Sequence, residues 1–77
     1  MNTNELYITL PGGFHAATGP LHPRVVTLVN SMLTAGYYPV YAALIEGGHL
    51  ELAFCECPPE LTPTELHELV ANFYREA

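Results

Sequence analysis

A chain of 77 residues, 49% of them hydrophobic, has room for one small domain, 1–77, with a thin core. Its apolar residues recur with regular periods, which argues against disorder. Eight glutamates stand against two arginines, with no aspartate and no lysine, for a net charge of −6. Two cations cannot neutralise a run of phosphates, so the composition argues against direct binding of nucleic acid or docking on an anionic membrane.

No stretch approaches the ~20 apolar residues of a membrane span. Met1 to Glu5 has neither the basic start nor the apolar run of a signal peptide. Two cysteines without an export signal point to reduced thiols and a cytoplasmic location.

Glu5 to Leu10 alternates: Leu6, Ile8 and Leu10 share one face, and Tyr7 and Thr9 the other. That is the period of a strand. The connection that follows, residues 11–23 (PGGFHAATGPLHP), holds three glycines, three prolines and two histidines. It lacks the lysine and hydroxyl residue of a Walker loop and the spacing of a dinucleotide fingerprint. A long surface connection is therefore expected, with Phe14 at its tip as an interface anchor or a cover for the core. An anion held at the next helix N-terminus near His22 and Arg24 is the weaker alternative.

Pro23 suits the first turn of a helix. Val25, Val26, Leu28, Val29, Met32 and Leu33 then make an apolar side, and Gly36 stands where a left-handed cap ends a helix. Tyr37 to Glu46 and His49 to Cys57 read as a hairpin around Gly47-Gly48. A two-residue turn pairs Glu46 with His49, Ile45 with Leu50, Ala43 with Leu52 and Tyr41 with Phe54. It sends Tyr41, Ala43 and Ile45 to the core, and Tyr38, Val40, Ala42 and Leu44 outward beside Glu51, Ala53, Cys55 and Cys57. Pro39 requires an edge strand. After Pro58-Pro59, Thr62-Pro63-Thr64-Glu65 is a capping box, with Leu61 and Leu66 at the staple positions. Leu66, Leu69, Val70 and Phe73 form the buried stripe of a second helix.

The expected fold is α+β in the order β-α-β-β-α. The third strand lies between the first two, both helices lie on one face, and the whole resembles a truncated ferredoxin-like sandwich without its last strand.

Candidate chemistry is sparse. Cys55 and Cys57 stand two apart in a strand, about 6.6 Å by strand rise, too far for a mutual disulfide and unlike a zinc knuckle. With His15, His22, His49 and His67 scattered along the chain, no metal site and no cofactor are expected. No base with an orienting partner accompanies either thiol, and Glu65 and Glu68 face solvent on the second helix, so no enzyme is expected.

The outer sheet face is the informative surface. Tyr7, Tyr38, Val40, Ala42, Leu44, Ala53 and the cysteines are too apolar to be left in water, and such a patch with acidic edges marks a protein–protein site. The expected partner-binding residues are Tyr7, Tyr38, Leu44, Glu46 and Glu51. Glu56, Glu60, Glu65 and Glu68 are in reserve at the hairpin end and on the second helix. A homodimer pairing these faces is an alternative, and the first strand also offers an unpaired edge.

A small, acidic, lysine-free domain with an interaction face resembles the phage-encoded anti-CRISPR inhibitors in length, charge and simplicity of fold. The resemblance implies a basic protein partner, a Cas protein of a type I complex in a bacterial host cytosol, masked from its nucleic acid. The alternative expectation is a dimeric ferredoxin-like regulatory domain binding a small metabolite between its sheets or near residues 11–23. An acidic antitoxin-like partner of a basic toxin is a third.

Overall fold

The computed structural model describes residues 5–13 and 19–76. Its strands are β1 (Glu5–Leu10), β2 (Tyr37–Ile45) and β3 (His49–Glu56), and its helices α1 (Pro23–Thr34) and α2 (Pro63–Glu76). The strands form one sheet in the order β1-β3-β2, with β3 antiparallel to both neighbours. Val25 and Val29 of α1 and Phe73 of α2 meet Leu50, Leu52 and Phe54 of β3 in one buried cluster, so both helices cover the same face. This is the β-α-β-β-α arrangement expected from the sequence. Phe14, His15 and the middle of the 11–23 connection lie outside the described residues.

Local signals place the helices. Pro23 opens α1, and Gly36, at φ +96°, closes it in the left-handed region where a side chain would be strained. The freed carbonyl of Gly36 accepts the N–H of Cys57 at 2.8 Å, tying the end of α1 to the end of β3. At α2, Glu65 N–H donates to Thr62 Oγ1 at 3.1 Å, and Thr62 N–H donates to the Glu65 carboxylate at 3.0 Å. The capping box is formed, and Glu65 is one of its parts.

The hairpin departs from the expected register by one residue. Its loop holds Glu46, Gly47 and Gly48, with both glycines at positive φ, and pairs Ile45 with His49. Leu44 then lies opposite Leu50 and Ala42 opposite Leu52, on the helix side; Tyr41 lies opposite Ala53 and Ala43 opposite Glu51, on the outer side. The strand is apolar on both faces, so its composition could not choose between these registers. A bulge between Pro39 and Tyr41 leaves Val40 unmatched and restores the original phase. Tyr38 therefore faces outward, as expected, although opposite Cys55 rather than the Cys57 of the expected register, and the buried Pro39 lies opposite Phe54 on an edge strand.

The residues after β1 lean against this loop. A Cβ at Gly12 would stand 2.9 Å from the Gly47 carbonyl oxygen, a backbone atom with little freedom to yield. Gly12→Ala is expected to cost about 1–3 kcal/mol, as overpacking does. Urea denaturation measures it; Gly13→Ala is opposed by conformation alone, because among the described residues no atom beyond its chain neighbours lies within 4 Å of a Cβ there and its φ of +102° strains a side chain.

Candidate protein-binding face

No helix among the described residues lies over the outer face of the sheet, and alternation fixes who stands there. Glu5, Cys55 and Tyr38 form one cross-strand row; Tyr7, Ala53 and Tyr41 form the next; Thr9, Glu51 and Ala43 the third. His49 and Ile45 pair at the hairpin end. Tyr7 and Tyr41 flank Ala53 with ring centroids 6.2 Å apart and planes at 63°. Ala53 is fully buried on an otherwise open face, while Tyr7 is 56% exposed.

Each tyrosine of this pair carries a carboxylate. Tyr7 Oη donates to Glu5 Oε1 at 2.7 Å, and Tyr41 Oη donates to Glu51 Oε1 at 3.0 Å. The Glu5 hydrogen bond and charge push the Tyr7 phenol up to about 12. Partial desolvation, then the Glu51 hydrogen bond, raises Tyr41. A raised phenol pKa means that the folded state holds the proton. The contribution of the Tyr7–Glu5 bond is thus present below the ordinary phenol pKa and is lost as pH rises through about 12. An absorbance titration should find Tyr7 titrating near 12, and Glu5→Gln should return it toward about 10. A titration unchanged by Glu5→Gln rules this pairing out.

The thiols belong to the same surface. Cys55 Sγ lies 3.8 Å from Glu5 Oε2, and both cysteines are free and half-buried. Burial raises both thiols, with Glu5 adding to the effect at Cys55 and Glu56 at Cys57, so neither is primed as a thiolate. Among the described residues no three histidine, cysteine or acidic side chains converge as metal ligands. No helix there is long and apolar enough to cross a membrane.

At the start of α1 the anion reading meets occupied donors. Arg24 N–H donates to His22 Nδ1 at 3.1 Å, and the N–H groups of Val25 and Val26 both donate to the His22 carbonyl. His22 is the cap of the helix.

The structure thus gathers Tyr7, Tyr38 and Glu51 on the outer face and separates them from the other expected residues. Leu44 is corrected to the helix side by the one-residue shift in register. Glu46 sits exposed in the hairpin loop. Glu56 shares the helix-side parity of Phe54 at the far end of β3, Glu60 lies exposed between β3 and α2, and Glu68 is exposed on α2. Tyr41, Ile45 and Glu5 are members that the sequence reading left out. Tyr41 and Ile45 had been sent inward with the hairpin, and the alternation of β1 already put Glu5 beside Tyr7.

Comparison with family models, curated proteins and solved structures finds no match to this chain.

Proposed function

We propose that this protein binds and masks a basic, nucleic-acid-binding partner protein through the outer face of its sheet. A Cas effector protein, inhibited in the manner of the anti-CRISPR class, is the partner its length and charge favour. The observation that carries the reading is the pairing of Tyr7 with Glu5 and of Tyr41 with Glu51. The carboxylates stand among the aromatic rings, so the apolar patch is itself anionic. Such a surface suits a patch that mixes arginine or lysine with apolar contact area. It opposes a face-to-face homodimer, which would press these carboxylates against their own copies across sheets about 10 Å apart. In this reading the protein acts by occupancy rather than catalysis.

The test is competition. A basic nucleic-acid-binding protein recovered from the host is mixed with its own DNA or RNA, and increasing amounts of this chain are added. The expected result is stoichiometric loss of the nucleic-acid complex, weakening as salt rises because surface electrostatics are screened. Undiminished nucleic-acid binding at saturating amounts of this chain sinks the proposal. In that case the metabolite-binding reading comes forward.

A further inference from the structure

The two edges of the sheet are built differently. On β2, Pro39 has no N–H for a neighbouring strand, and the bulge at Val40 breaks the regular backbone. β1 has neither device. Its six residues, without proline, glycine or lysine, pair one for one with β3 from Glu5 to Leu10. Leu6 and Tyr7 are 41% and 56% exposed on its two faces. Among the described residues the helices come nearest to β2, so the Leu6, Ile8 and Leu10 row on β1 has the thinner cover from them.

We propose that β1 pairs antiparallel with β1 of a second copy, about a two-fold axis at Ile8, to join the two sheets into one of six strands. The pattern selects this register. Antiparallel partners directly opposite share a face. Centring on Ile8 sets Ile8 against Ile8, Leu6 against Leu10 and Tyr7 against Thr9, which completes an apolar row beneath both pairs of helices. Centring on Tyr7 leaves Leu10 out of that row. Centring between residues opposes helix-side positions to outer ones. Charge permits the Ile8 register as well. Glu5 falls opposite Pro11 of the second copy, six residues from that copy's own Glu5, or about 20 Å by strand rise. That is more than twice the Debye length of about 8 Å at physiological salt. The joined sheet would carry two outer faces side by side, and the pairing does not depend on what those faces bind.

The full chain in sedimentation equilibrium, from the micromolar to the millimolar range, should show a monomer–dimer equilibrium. Amide exchange of β1 should slow as concentration rises, while that of Val40 and its neighbours in β2 stays constant. Leu6→Lys, which places a charge on the open edge without touching the buried cluster, should weaken dimerisation about tenfold or more. Its melting curve checks that the monomer still folds. A monomer throughout the range overturns the proposal. So does a dimer whose concentration-dependent protection falls on β2 or on Ala53 and its outer-face neighbours. The exchange measurement needs no variant, so it decides the matter even if Leu6→Lys fails to fold.

Discussion

Phe54→Ala is expected to leave the chain largely unfolded in water at 25 °C. Phe54 is fully buried in the central strand and packs in the one cluster that holds both helices to the sheet. Truncating a buried phenylalanine costs about 3–5 kcal/mol, part of it lost transfer energy and part the cavity left behind. A domain of this length has on the order of 5 kcal/mol to lose. One residue along, Cys55→Ser is expected to cost about 1 kcal/mol or less, because the thiol is half-buried on the outer face and its near contact is a carboxylate. Urea denaturation followed by circular dichroism ranks the two. If the serine variant proves the more damaged, the faces of the sheet are reversed from those described.

The second large effect is expected at the proposed interface. Reversing Glu5 and Glu51 to lysine should slow association with a basic partner about tenfold or more at low salt and flatten its salt dependence, since charged groups chiefly set encounter rates. Tyr41→Ala should act on dissociation instead. Aromatic anchors at the centre of an interface are worth about 2 kcal/mol or more, roughly thirtyfold in residence time. Leu44→Ala provides the contrast: it faces the helices and should leave both rates alone. Surface plasmon resonance separates the two rates, and each variant's melting curve guards against unfolding. Should reversal of Glu56, Glu60 and Glu68 abolish binding while that of Glu5 and Glu51 leaves it intact, the outer face is not the binding surface.

How much of this was legible depended on how many local signals agreed. At α2 they all did: Thr62, Pro63 and Glu65 announce the start, and the Leu66–Phe73 stripe announces the buried side. The start appears as read; of the stripe, Phe73 is buried in the core and Leu66, Leu69 and Val70 are half-buried. In β3 and β1 one face is much more apolar than the other, so parity was fixed by residue type. β2 gave no such guidance. Alanine, leucine, isoleucine and tyrosine fit either side of it, and the register rested wholly on the loop, where Gly47-Gly48 admits a two-residue turn and Glu46-Gly47-Gly48 a three-residue one. The shorter loop was the wrong choice, which carried Leu44 to the outer face and Tyr41 away from it. The Tyr41–Glu51 bond was therefore hidden from sequence reasoning, although both residues were in view. Tyr38 was placed on the correct face only because the bulge undoes the shift before the chain reaches it.

That bulge makes the strand behave like a message with a frameshift. Upstream of Val40, the alternation that puts Tyr38 on the open face and Pro39 inside is counted from the far end of β3; downstream it is counted from the hairpin loop. Losing Val40 would change no chemistry on either side and yet put the two segments out of step. Either Tyr38 would turn inward and expel Pro39, or Tyr41 would leave Glu51 and uncover Ala53. Substitutions at Val40, whose side chain is 37% exposed, meet no such demand. In variants of this chain, position 40 should therefore be free in its identity and fixed in its presence.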